Sequence, residues 1–311
     1  MVNTLTILPD PPVPPAPVGV IAAAGDLPLL VAEGLAALGH PVHGIGFTGL
    51  YHERLPGLCE TFREIGLFRV GTWGRRLRSQ GVRHAIMVGK VDKAALMHDR
   101  LKLVRHVPDL RTMRTWYRRL RHDRRSYAVL GAIAEELARD GVHLIDSTMP
   151  IPDHLSVEGV MSRTRPTEQQ QKDIEFVWPL LTEMLRLDIG QAVAVRDRDV
   201  IAVEAVEGTD RMIERAGQLC RNRGWTLCKG ARVGHDRRSD VPTVGPNTLH
   251  NLHANGARCL ALAADDVIMI DKPRLLELAD ELNIAIVGVA VGPTATTTAS
   301  REVEPGPDEG A

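Results

Sequence analysis

Aromatic residues are scarce in this sequence, at 4% of 311 positions, which leaves too few for an extended base-stacking platform. No sign of charge dominates. The 38 Lys and Arg stand against 39 Asp and Glu, for a formal net charge of −1, so the chain as a whole is not committed to nucleic acid. Four cysteines occur, Cys59, Cys220, Cys228 and Cys259. None forms a C-x-x-C pair, so no zinc finger is spelled, and reduced, buried thiols are expected. No apolar run approaches the ~20 residues that span a bilayer. The opening stretch MVNTLTILPDPPVPPAPV has no basic start followed by a long apolar run, so no secretory signal is read there and the cytoplasm is expected. Walker A, G-x-S-x-G and H-E-x-x-H patterns are all missing.

What remains is an ordinary globular composition, 44% hydrophobic and 25% charged, at a length that suits two domains. Six prolines between residues 9 and 17 make residues 1–17 an expected disordered tail. The small, Pro/Gly-rich stretch 292–311 reads the same way. Between them, short apolar runs alternate with helically spaced ones. Strands are expected at 18–23, 41–47, 84–89 and 142–145, with helices at 27–38, 73–79 and 127–138. Met149-Pro150-Ile151-Pro152 keeps the chain extended, and the pattern restarts after it. Helices are expected at 167–187, 211–221, 248–255 and 273–282, and strands at 192–195, 200–206, 225–229, 259–263, 267–270 and 284–289. The expectation is α/β: an N-terminal Rossmann-like parallel sheet over 18–148 and a distinct C-terminal α/β domain over 149–291.

Three stretches carry the chemistry. Gly19 to Gly25, followed by a helix, is similar to a phosphate-cradling turn, although it is not G-x-G-x-x-G. Gly89-Lys90 follows a buried strand, where residues past strand C-termini line a ligand crevice. Glu207-Gly208-Thr209-Asp210 puts two carboxylates on one turn beside a helix start, which suits either a helix cap or Mg²⁺. The densest signal is Lys229 to Gly245. There Asp236 and Asp240 flank Arg237 and Arg238, with Lys229, Arg232 and His235 nearby. Carboxylates for a metal, interleaved with guanidiniums that fork onto phosphate oxygens, are what cleavage of a diphosphate needs.

A different pattern fills residues 100–125, where ten Lys/Arg face only Asp109 and Asp123. From Leu110 onward, Met113, Trp116, Tyr117 and Leu120 fall on one helical face. Such a helix either packs on a core or lies on an anionic membrane.

Taken together, Gly19-Val20-Ile21 with Leu27-Pro28, Met87 to Val91, Asp188-Ile189-Gly190-Gln191, Ala202 to Asp210 and Asp236 to Gly245 resemble the LpxI-type UDP-2,3-diacylglucosamine pyrophosphatase family. The resemblance runs over about 18–289. It implies Mg²⁺-dependent hydrolysis of UDP-2,3-diacylglucosamine to UMP and 2,3-diacylglucosamine 1-phosphate, at the cytoplasmic face of the inner membrane. It also implies that Asp236 is the essential aspartate. On the residues themselves, Asp240, Arg237 and Lys229 are expected to assist, with Asp236, Asp240 and Glu207 at the metal, although Glu207, Thr209 and Asp210 could instead contact the uridine. Gly19, Gly25, Leu27, Gly89, Lys90, Gln191, Gly208, Thr209, Asp210 and Arg238 are the expected substrate contacts. The expected partners are the lipid-linked UDP sugar, the membrane surface and a second copy of the chain, with no nucleic acid. Two places depart from the family pattern. Arg232-Val233 and His235 stand where Lys-Pro and Gln are usual, and Gly25-Asp26 replaces a more glycine-rich turn. A nucleotide- or lipid-binding protein without turnover is the alternative.

Overall fold

The structure is a computed structural model that describes residues 8–91, 108–115, 117–118, 126–232, 234–238 and 241–290. In its first half, β1 (Val18–Ala22), β2 (Val42–Phe47) and β4 (His84–Val88) are buried along nearly their whole length because helices cover both sheet faces. The strand order is β3-β2-β1-β4-β5, all parallel, with β3 at Thr61–Ile65 and β5 at His143–Leu144. Helix α1 (Leu27–Ala37) has Pro28 in its first turn, where no N–H is missed. Its Leu29, Val31 and Leu35 pack on Val18, Val20 and Ile86. On the other face, α2 (Val70–Ser79) and α4 (Ser126–Arg139) bring Trp73, Leu77 and Leu137 onto Ile21 and Ile45. The intervening α3 (Leu110–Thr115) contributes no buried side chain.

The second half holds a six-stranded sheet in the order β6-β13-β11-β9-β7-β8. Strands β9 (Trp225–Lys229), β11 (Ala257–Ala263) and β13 (Ala285–Val289) are parallel. Antiparallel partners β7 (Ala192–Arg196), β8 (Asp199–Val203) and β6 (Gly159–Val160) extend them. Helix α5 (Glu168–Arg186) starts from a complete capping box at Thr167 and Gln170. It lays Ile174, Val177, Leu181 and Leu185 on one sheet face. Helices α6 (Thr209–Leu219), α7 (Pro246–Ala254) and α8 (Lys272–Glu281) cover the other face. A small parallel pair, β10 (Thr243–Val244) and β12 (Ile268–Met269), stands apart.

Several expectations are corrected. Strand β3, TFREI, was not foreseen, because an edge strand with polar residues lacks the apolar signal. Strand β8 stops at Val203 rather than 206, since Glu204 turns inward and Gly208 takes φ 82°. The Ile268–Met269 strand belongs to the separate pair and not to the main sheet. From residue 8 the proline-rich stretch has a defined course, and the Ala16 carbonyl accepts the His40 Nδ1 proton at 2.9 Å. Cys228 and Cys259 are buried, but Cys59 and Cys220 are only half-buried, all four free. The expected C-terminal tail, 292–311, lies outside the described residues.

Candidate active site

Parallel strands deliver their following residues to one edge of a sheet, and in the first sheet the chain changes direction between β1 and β4. Both strands overrun their ladder at that edge. Ala23 N donates to Val88 O at 2.9 Å, and Lys90 N to Ala24 O at 2.8 Å. Gly89 permits this close approach. Its φ is 107°, and a Cβ there would lie 2.7 Å from the Ala23 carbonyl carbon. Gly25, at φ 101°, turns the chain into α1.

Across the crevice stands the N-terminus of α6, introduced by Gly208. Lys90 Nζ faces Asp210 Oδ2 at 3.9 Å, with the two side chains 82% and 58% exposed. Beneath Asp210 lies a buried polar cluster. Glu204 accepts the Thr209 hydroxyl on Oε1 at 2.9 Å and the Gln191 N–H on Oε2 at 3.3 Å. Lys229 Nζ donates to Thr209 Oγ1 at 3.2 Å and to Thr243 O at 3.1 Å. Burial lowers the Lys229 pKa, and Lys90 adds to that, against the opposing charges of Glu204 and Asp210.

Beside this cluster is a pocket of about 140 Å³, walled by Leu130 of the first half and by Asp188, Gly190, Gln191, His235 and Asp236 of the second. Gly190 has no room for a Cβ, which would lie 2.1 Å from Glu204 O. Asp188 holds φ 59° as the left-handed residue ending α5, with Ile189 N donating to Met184 O. Arg238 Nε donates to both Asp236 oxygens, at 2.8 and 3.0 Å, and its backbone N–H to Oδ1 at 3.1 Å. Burial alone would raise the Asp236 pKa, but the Arg238 hydrogen bonds and charge, with His235, outweigh it and lower the value. Arg237 ties the loop down. Its carbonyl accepts from Ser147 N at 2.9 Å and Ser147 Oγ at 2.8 Å, and its Nη2 reaches Asp265 O at 2.7 Å. Arg237 Nε is buried without a hydrogen-bond partner and lies 3.6 Å from Asp146 Oδ2. His235 Nε2 is likewise buried and unpaired.

The sequence-derived residues therefore divide. Asp236 and Gln191 line the pocket. Gly25, Gly89, Lys90, Gly208, Thr209 and Asp210 gather where the crevice edge meets α6. Glu207 accepts from Arg215 Nη2, which lowers its pKa. Asp240 lies outside the described residues. Lys229 turns its ammonium inward instead of toward open solvent. Gly19 is corrected outright: it is sealed inside β1, where a Cβ would come 2.9 Å from Leu77, so packing requires the glycine and no ligand reaches it. Leu27, at the start of α1, packs against the apolar core. Glu204, Asp188 and Asp146 were not foreseen as site residues, while the sequence marks His235 only as a neighbour of the charged loop. Glu204 could have been suspected as a carboxylate directly following an apolar strand.

The donor chemistry suits Mg²⁺. Among the described residues no three His, Cys, Asp or Glu side chains converge, so no all-protein cage is offered. The pocket instead presents the carboxylates Asp188 and Asp236 and no sulfur. A hard ion that takes one or two carboxylates, with the remaining places filled by phosphate oxygens and water, matches this set.

Fold and site define a two-domain α/β protein with a polar, partly cationic cleft suited to a phosphorylated ligand between its halves. The LpxI N-terminal domain family matches residues 17–154, and the LpxI C-terminal domain family matches residues 157–287. The chain belongs to the LpxI family. Its similarity to the UDP-2,3-diacylglucosamine pyrophosphatase LpxI of Caulobacter vibrioides is 27% identity over 290 residues, covering 87% of this chain and 96% of that protein.

Proposed function

We propose that this chain hydrolyses the diphosphate bond of UDP-2,3-diacylglucosamine, releasing UMP and 2,3-diacylglucosamine 1-phosphate, with Mg²⁺ and in the cytoplasm. The observation that carries the reading is Asp236, ionised, on the wall of a pocket between the two halves, within a loop moored to both. Family membership supplies the reaction class. Asp236 would hold Mg²⁺, with Asp188 on the same pocket wall and Asp240 as a further candidate, while Glu207 is already engaged by Arg215. When bound, the ion neutralises phosphate charge and favours attack at phosphorus. Asp236 accepts hydrogen bonds and orients the attacking water. The exposed Lys90 ammonium would take a phosphate oxygen, while Arg237, its Nε buried 3.6 Å from Asp146, would hold the loop in place. Water adds to one phosphorus as the bridging P–O bond breaks. The test is UMP release by the purified protein, expected to vanish in excess chelator and to return with Mg²⁺. Full activity in chelator would remove the metal from the reading. Substrate binding without UMP would mark a binding protein instead.

A doubly acylated substrate requires contact with a bilayer, and α3 is the surface we assign to it. Leu110 and Met113 share one face of α3, and Tyr117 lies just beyond its end; they are 84%, 54% and 67% exposed, beside exposed Arg114 and Arg118. Trp116 and Leu120 lie outside the described residues. Asp109 N donates to Phe68 O at 3.1 Å and Val70 N to Thr112 Oγ1 at 3.2 Å. These bonds hold α3 just past the end of β3, on the crevice edge of the first sheet. Each basic residue near an anionic surface contributes ~1 kcal/mol. Co-sedimentation with anionic liposomes should weaken as salt rises and when Arg114 and Arg118 are both changed to Gln. Binding indifferent to both changes would return α3 to a packing role.

A further inference from the structure

The buried cluster under α6 has a function beyond the pocket chemistry. Glu204 is the only group in contact with both walls of the site among the hydrogen bonds described. One oxygen takes the N–H of Gln191, which lines the Asp236 pocket, at 3.3 Å. The other takes the hydroxyl of Thr209, the first residue of α6, at 2.9 Å. The hydroxyl in turn accepts from the buried Lys229 ammonium at 3.2 Å, and that ammonium also reaches Thr243 O, just past the charged loop, at 3.1 Å. Gly190 packs its α-carbon against the Glu204 carbonyl with no space for a methyl group. The chain Gln191–Glu204–Thr209–Lys229–Thr243 thus links the pocket wall, the helix start facing Lys90, and the end of the Asp236 loop.

We propose that Glu204 is a positioning residue for the hydrolysis. By holding Gln191 and Thr209 at once over Lys229, it fixes the pocket wall and the α6 start in one mutual geometry. This rests on the hydrolase reading, but its geometric half stands separately. The Gln191 N–H can only donate, whereas the Thr209 hydroxyl donates to Glu204 while accepting from Lys229. A neutral amide at position 204 offers one acceptor where two are used, so it keeps both partners only by reversing the Thr209 bond, and it removes the anion beside the Lys229 ammonium. Displacements of about an ångström among groups that orient a substrate cost on the order of 100-fold in rate. The loss should therefore fall on kcat more than on KM.

The experiment compares Glu204→Gln, Thr209→Val, Thr209→Ser and the Glu204→Gln/Thr209→Val pair. Steady-state UMP release, thermal melting and amide hydrogen exchange at Gln191 are read in each. Glu204→Gln and Thr209→Val should each lower kcat by about tenfold or more while the folded fraction at the assay temperature is unchanged. Thr209→Ser, which keeps the hydroxyl, should recover most of what Thr209→Val loses. The pair should be no worse than its worse member, because both break one chain. Exchange at Gln191 should quicken in Glu204→Gln. Wild-type kcat in Glu204→Gln, or a Thr209→Ser as impaired as Thr209→Val, overturns the proposal. So does a kcat loss that merely tracks unfolding. Absence of UMP release by the wild type would defeat the hydrolase reading alone, and unchanged exchange at Gln191 would defeat the positioning role alone.

Discussion

Asp236 sits between opposing effects: burial favours its neutral form, while the fork and backbone N–H of Arg238 favour the anion, and the anion prevails. Asp236→Asn keeps the shape and removes the charge. Turnover should fall by at least about 100-fold, with UMP binding retained, as read by UMP-release kinetics and calorimetry. Near-wild-type turnover would take Asp236 out of the chemistry. Gly89 is a residue-scale case of the backbone deciding the side chain. At φ 107°, and with its α-carbon against Ala23, an alanine would be strained and would push the strand ends apart. Gly89→Ala should cost about 1–3 kcal/mol of stability in urea titration. An unchanged midpoint would contradict that close approach.

Among the elements, the β7–β8 hairpin turns through Asp197 and Arg198, both left-handed although neither is glycine. The turn persists because Asp173 on α5 accepts both of its N–H groups, at 3.2 and 2.7 Å, from a fully buried position. Asp173→Ala leaves those donors without a carboxylate and should cost about 2 kcal/mol or more, measured by chemical denaturation. At α8, Asp280 accepts from Thr164 N at 2.8 Å and Arg163 Nε at 3.0 Å. Burial pushes its pKa up, but those bonds outweigh it and hold the value below the ordinary 3.8. A depressed carboxylate stabilises the fold above its unfolded pKa, and that contribution fades as pH falls through the folded value. Asp280→Asn should therefore be less stable than wild type at neutral pH, with the gap closing below pH 3.8. A gap independent of pH would mean that charge has no part in it.

For the molecule as a whole, the two halves share an apolar seam, where Ile268, Leu155 and Val241 join the cluster of Leu29, Leu35 and Ile86, and polar ties, among them Ser147 with the Arg237 carbonyl and Lys90 with Asp210. An exposed pair at 3.9 Å contributes at most about 1 kcal/mol to stability. Its place at the switch point of the first sheet nevertheless puts an ammonium at the mouth of the cleft. Lys90→Ala should leave the melting temperature nearly unchanged and raise KM, most visibly at low salt. A shifted melting temperature with unaltered KM would make Lys90 a structural tie only.

Local chemistry was enough for the apolar strands at 18–22, 84–88 and 225–229, for helices that start at Thr167 or near Pro28 and stop by Gly39, and for the charged loop around Asp236. Each of those signals is contained within a few neighbouring residues. Strand β3 was different, because Thr61–Ile65 becomes a strand only through its pairing with β2. Mixed strand order in the second sheet, the sealing of Gly19 by Leu77 and the approach of Leu130 to the Asp236 pocket were likewise settled by packing between distant segments. Glu204 makes the distinction plainest. In the sequence it is one carboxylate among 39 acidic residues. Its meaning comes from partners 13 residues before it and 5 after it, which only the folded chain brings to its two oxygens.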